Sequence, residues 1–136
     1  GEESGNFSSY PNGIFGYIKE QIKDTDVRKR IFVIPHFITK IHLTQFYKKA
    51  LFIILPSRYE PFGLVSMEAL FNNKIVISSC FGGTKEFIDN NVTGFTLPPD
   101  KIKFIASKLS NNPKLRKKIE KNIKKNRSEI IQKIKI

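Results

Sequence analysis

The chain has little with which to build a metal centre or a covalent scaffold. Its 136 residues include one cysteine, Cys80, and two histidines, His36 and His42. A single cysteine excludes an internal disulfide framework and fits a reducing compartment such as the cytoplasm. Cys80 lies just before a double glycine, so it reads as a small residue ending a buried strand rather than as a nucleophile. Two histidines without ligand spacing, and no His–Cys cluster, offer zinc no site. There is no Walker-type phosphate loop and no Gly-x-Gly-x-x-Gly. No apolar run approaches the length needed to cross a bilayer, and residues 1–9 are polar, without the apolar centre of a secretory leader. Acidic side chains are scarce as well: 12 Asp and Glu stand against 24 Lys and Arg, for a net charge of +12.

Most of that excess follows Pro113, where Lys114, Arg116, Lys117, Lys118, Lys121, Lys124, Lys125, Arg127, Lys133 and Lys135 outnumber Glu120 and Glu129. Such a run suggests nucleic acid at first. However, Leu115, Ile119, Ile123, Ile130 and Ile134 recur at helical spacing, which describes an amphipathic helix docked on a surface with its lysines in water. Nucleic acid is therefore not the favoured partner. An anionic membrane surface is the other option for a basic amphipathic helix. The chain is also crowded with Lys, Asn and Ile, a bias that weakens charge as a guide to function.

The rest alternates between two periodicities. Helical spacing of Ile14, Ile18 and Ile22 predicts a helix over 11–23, broken by Asp24-Thr25-Asp26. Residues 31–35 read as a short apolar strand. A helix over 41–50 carries Leu43, Phe46, Tyr47 and Ala50 on one side. Strands are expected at 51–55, 74–79 and 95–97, with helices at 63–71, 84–88 and from Asp100, as its cap, to Leu109. Asp89-Asn90-Asn91 is a turn. Near-continuous apolar strands alternating with helices imply an α/β fold, a Rossmann-like parallel sheet covered on both faces, with a C-terminal amphipathic helix. The length suits one domain with its own core. The expected division is residues 1–112 as that domain, incomplete at its N-terminal side, and 113–136 as the basic helix.

One segment carries the chemistry: Glu60-Pro61-Phe62-Gly63-Leu64-Val65-Ser66-Met67-Glu68. It begins where a strand ends and a helix starts, which is where open α/β sheets bind ligands. A helix starting near Phe62 leaves the N–H groups of Phe62, Gly63 and Leu64 without intrahelical partners, directed at a spot where the dipole favours an anion such as a phosphate. Gly63 lets the backbone come close to that ligand. Glu60 precedes the helix and Glu68 lies about two turns along it, on the order of 10 Å away at 1.5 Å per residue. Carboxylates accept hydrogen bonds from sugar hydroxyls, so a sugar, a diphosphate and a ribose in a row would fit. Ordinary helices show the same pair of acids, and the neighbouring residues decide between the readings.

Residues 56–70, Pro-Ser-Arg-Tyr-Glu-Pro-Phe-Gly-Leu-Val-Ser-Met-Glu-Ala-Leu, resemble the signature of retaining glycosyltransferases of the GT-B fold, above all the glycogen and starch synthase group. The similarity continues in order and spacing through Gly82-Gly83-Thr84-Lys85-Glu86 and Thr93-Gly94-Phe95. It covers roughly residues 31–99. The resemblance implies that Glu60 contacts hydroxyls of the donor sugar near the reacting carbon and is the catalytic residue. It implies that amides of Phe62, Gly63 and Leu64 hold the sugar and distal phosphate, that Glu68 binds the nucleotide's ribose, and that Gly82, Gly83 and Thr84 form the second wall of the donor site. Where the family has Gly and Pro, this chain has Asn73 and Ile75; Asn suits a left-handed helix end, and Ile75 lengthens a buried strand.

An Arg and a Lys that the family places on loops early in the same domain, facing the leaving pyrophosphate, have no matching segment before Ile31. The acceptor-binding half of a GT-B enzyme has no match either, and in such enzymes the final helices cross back to that half, which would leave the apolar stripe here without its partner. With Gly1 rather than Met at its start, the chain is expected to be a truncated, donor-binding part of a larger enzyme. The function implied is transfer of a hexose, glucose first, from UDP-glucose or ADP-glucose to an α-glucan hydroxyl, with no metal and no further cofactor. A lipid or small-molecule glycosyltransferase and a non-catalytic nucleotide- or partner-binding fragment are the alternatives. Asp24-Thr25-Asp26 spells the metal motif of the other large glycosyltransferase fold, but between a helix and Arg28-Lys29-Arg30 it reads as a solvated turn.

Overall fold

The computed structural model describes residues 13–34, 36–57 and 62–134. The chain forms two compact units that meet in sequence between Thr39 and Lys40. The first carries two helices, α1 (Ile14–Gln21) and α2 (Thr25–Lys29). Asp24 does more here than break a helix. Its carboxylate accepts from the N–H groups of Asp26 (2.9 Å) and Val27 (3.1 Å) and so caps α2, satisfying two donors that a helix start leaves unpaired. The strand expected at 31–35 does not form: Ile31–Ile34 has no regular structure and Phe32 is 87% exposed, while Pro35 lies outside the described residues. An apolar run becomes a strand only when another strand pairs its backbone, and this run pairs with none among the described residues.

The second unit holds the sheet. Its order of elements is α3 (Lys40–Lys49), β1 (Phe52–Leu55), α4 (Leu64–Phe71), β2 (Ile75–Ser79), a 3-10 turn (Gly83–Glu86), β3 (Gly94–Leu97), α5 (Pro99–Ser110), α6 (Pro113–Lys125) and α7 (Arg127–Lys133). The strands lie in the order β1-β2-β3 and are parallel throughout, with Phe52 opposite Ile75 and Ile77 opposite Phe95. All five residues of β2 are buried, and α4, α5 and α6 pack against it. The α/β architecture with a covered parallel sheet is therefore as the sequence implied. β1 is less covered, and Ile54 is 41% exposed.

Local chemistry sets the element ends. Asn73 adopts a left-handed φ of 58°. Its N–H reaches Leu70 O while Lys74 N–H reaches Ala69 O, both at 2.9 Å, the paired bonds that close a helix on a left-handed residue. Ile75, completely buried, then opens β2. Asp100 lies in the first turn of α5 without capping it, because the helix starts one residue earlier at Pro99, whose missing N–H costs nothing at that position. Thr93-Gly94-Phe95 is a turn-to-strand joint. Thr93 Oγ1 accepts from Asp89 N–H (3.0 Å), and a Cβ on Gly94 would sit 2.9 Å from Val76 O.

The basic C-terminal segment is two helices, α6 and α7, broken at Asn126. Its apolar stripe is not waiting for a partner. Ile119, Ile123 and Ile130 are buried in the core beside Leu109 and Ile75, with Leu115 and Ile134 packed around them. Polar contacts fix the same arrangement: Asn122 donates to Val92 O (3.0 Å), Arg127 to Phe71 O (2.8 Å), and Lys133 pairs with Asp89 (3.0 Å). A stripe of isoleucines docks wherever apolar surface is nearest, and here α5 and β2 provide it.

Candidate donor site

Parallel strands deliver their carboxyl ends to one edge of the sheet, where a doubly wound sheet places its ligands. Leu55 at the end of β1 leads through 56–63 into α4. Ser79 at the end of β2 leads through Cys80, Phe81 and Gly82 into the 3-10 turn. The ends are tied together: Ser79 Oγ donates to Ser57 O, and Cys80 N–H donates to Leu97 O (2.9 Å) at the end of β3. Two segments singled out in the sequence thus meet at this edge.

They meet in contact. The helix starts at Leu64, with Gly63 as its cap at φ 65°, ψ 33°, two residues later than a start at Phe62. A left-handed residue cannot belong to the helix, so the turn ends there. Met67 N–H to Gly63 O (2.9 Å) is the bond that closes the first turn. The N–H groups of Leu64, Val65 and Ser66 precede it and have no carbonyl one turn back. Those of Phe62 and Gly63 lie in the approach to the helix.

Gly63 is buried, and a Cβ there would stand 2.8 Å from Thr84 Oγ1 and 2.9 Å from Phe87 Cζ. Its lack of a side chain serves this close packing as well as the backbone turn. Thr84 is 1% exposed, and its hydroxyl lies 3.3 Å from Ser66 Oγ. The Thr84 side chain therefore holds the wall to the helix start from behind. Gly82, at φ 138° and ψ −167°, takes a conformation closed to other residues.

The opposite side of the tip is open: Phe62 is 71%, Leu64 58% and Val65 41% exposed. Glu68 follows Leu64 by four residues and Val65 by three, so it shares their face, and helical side chains lean toward the N-terminus. Its side chain is half-buried. Tyr47, near the end of α3 and 4% exposed, donates its O–H to Glu68 Oε2 at 3.3 Å. Burial, then the Glu68 charge and this hydrogen bond, push the Tyr47 phenol up to about 12. Glu60 lies outside the described residues. Tyr47 and Ser66 are the participants that sequence reasoning missed. Tyr47 looked like one more apolar residue on α3; the available hint is that a buried tyrosine needs a partner for its hydroxyl.

Residues 14–126 match the family model described as glycosyl transferases group 1. The chain belongs to this family. Over 112 residues, 80% of the chain, it is 31% identical to an uncharacterized glycosyltransferase of Methanocaldococcus jannaschii, covering 28% of that protein. It is 30% identical over 64% of its length to the human alpha-1,3/1,6-mannosyltransferase ALG2, of which 21% is covered. A glycogen synthase of Mycobacterium tuberculosis is 39% identical over a shorter stretch, 40% of the chain and 13% of the relative. The chain thus spans less than a third of the length of each of these relatives. It is a glycosyl transferases group 1 chain of GT-B type. No helix among the described residues is long and apolar enough to cross a membrane.

Proposed function

We propose that the chain is the donor-binding part of a retaining glycosyltransferase, the C-terminal half of a GT-B enzyme whose acceptor-binding half lies elsewhere. The observation that carries this reading is the helix start between Gly63 and Ser66: Thr84 and Phe87 pack against Gly63, Phe62, Leu64 and Val65 are exposed, and Glu68 follows on the same helix. Free amides and the positive end of the α4 dipole suit the diphosphate of a nucleotide sugar. Glu68 accepts from the ribose hydroxyls. Glu60 holds the sugar and stabilises positive charge on its ring, and Gly82 and Gly83 line the second wall. The transferred group is a hexose, glucose first, from UDP-glucose or ADP-glucose to an α-glucan hydroxyl; the likeness to a glycogen synthase supports that choice. Net retention follows from front-face attack, in which the leaving phosphate takes the acceptor's proton. Helix-start amides hold the diphosphate in this scheme, with no metal.

Among acceptors, a lipid on an anionic membrane is the second possibility. With the stripe of α6 and α7 buried, their exposed lysines would make an electrostatic contact with such a surface rather than insert a helix.

Calorimetry with UDP-glucose, ADP-glucose and GDP-mannose tests the reading. The preferred donor binds the parent. Glu68→Ala weakens the nucleotide alone and the sugar nucleotide alike, whereas Glu60→Ala weakens only the sugar-bearing ligand. If both variants bind like the parent, the role assignments fail.

A further inference from the structure

The Tyr47–Glu68 contact links two elements that the proposed site otherwise keeps apart. Of the residues named at the edge above, Tyr47 is the one from α3. Tyr47 is also the one buried side chain of that helix, and its hydroxyl lies 3.3 Å from Glu68 Oε2. A buried phenol O–H needs an acceptor, and a half-buried carboxylate has several lone pairs to offer. The ring is anchored by the core, with Leu43 and Phe52 packed around the same cluster. A flexible glutamate can sample several rotamers, and fixing one of its oxygens against a rigid ring removes that freedom before a ligand arrives.

We propose that Tyr47 is a positioning residue for nucleotide recognition: its buried O–H holds Glu68 Oε2 so that Oε1 is ready to accept from a ribose hydroxyl at the open face of the α4 start. This rests on the reading of Glu68 as the ribose acceptor. Tyr47 touches no substrate in this scheme and acts only through the carboxylate. At 3.3 Å the bond is long for O–H···O, so it orients Glu68 without occupying it fully.

The test uses the intact chain and calorimetry with UDP, ADP and GDP, then the 2′,3′-dideoxy form of whichever binds. Tyr47→Phe keeps the ring and removes the hydroxyl. It should weaken the ribonucleotide about three- to tenfold, the span of one modest hydrogen bond. The dideoxynucleotide should bind parent and variant equally, and Tyr47→Phe should add nothing in a Glu68→Ala background. Equal losses for both nucleotides, or full additivity with Glu68→Ala, overturn the proposal, because a merely structural tyrosine would behave in that way. An unaffected ribonucleotide affinity in Tyr47→Phe also overturns it, while leaving Glu68 as the ribose acceptor. A parent that binds none of the three nucleotides, or a Glu68→Ala variant that binds like the parent, removes the underlying reading instead. Should Tyr47→Phe fail to fold, absorbance titration of Tyr47 in Glu68→Gln reads the same pair from the other side. Its pKa falls if the carboxylate holds the phenol and stays at the parent value if it does not.

Discussion

Gly63 and Thr84 are in contact across the two segments that define the site: a Cβ on Gly63 would lie 2.8 Å from Thr84 Oγ1. The left-handed turn and the absence of space both call for glycine at this position. Gly63→Ala should therefore destabilise the chain by about 1–3 kcal/mol, combining backbone strain with overpacking. Urea denaturation of the two proteins measures this. Gly63→Ala with Thr84→Ser, which keeps the hydroxyl, should recover little; Thr84→Gly should recover part of the loss, since it removes the nearest obstructing atom. An alanine variant as stable as the parent would show that the helix start and the Thr84 wall are not packed as described.

The burial of Ile119 and Ile123, 0% and 1% exposed, makes the basic C-terminal helix part of the core rather than an appendage. Ile123→Ala should cost about 2–5 kcal/mol, the usual range for emptying a filled core position. Lys124→Ala, one residue on and exposed, should change stability by less than about 0.5 kcal/mol. A melting experiment in which both variants behave alike would place the isoleucine stripe on the outside.

Tyr47 should mark the alkaline limit of stability. Its folded pKa is about 12 against an ordinary value of 10.0. Between those values the unfolded chain has released the phenol proton and the folded chain has kept it. Stability is then undiminished by this group below about pH 10 and falls as pH rises toward about 12. Removing it as Tyr47→Phe should flatten that part of the stability curve; a curve identical to the parent's would show that the phenol is not shielded.

Much of the fold is legible in the residues. Runs such as Ile75-Val76-Ile77 sit in β2 because β-branched side chains on both faces suit a strand covered on both sides. Asn73 and Asn91 stand where left-handed backbone was needed, at φ 58° and 66°. The run at 31–34 failed as a strand because apolar composition does not guarantee a pairing partner. The start of α4 shifted because nothing local says that Gly63 would cap the helix rather than enter it. Within the site, the segments from Gly63 to Glu68 and from Gly82 to Thr84 could be named in advance, but Tyr47 could not, since 21 residues separate it from Glu68.

What the amino-acid order settled alone is local and periodic: where most of the helices and strands lie, which glycines must turn, and which acid follows the turn. These depend on neighbours within a few residues, where sterics and backbone hydrogen bonding act. Packing decided the rest. It placed Thr84 behind Gly63, brought Tyr47 to Glu68, and folded the isoleucines of α6 onto β2 instead of leaving them for another partner. Such contacts join residues far apart in the chain, and their energies depend on which apolar surfaces find one another, a property of the whole fold rather than of any segment.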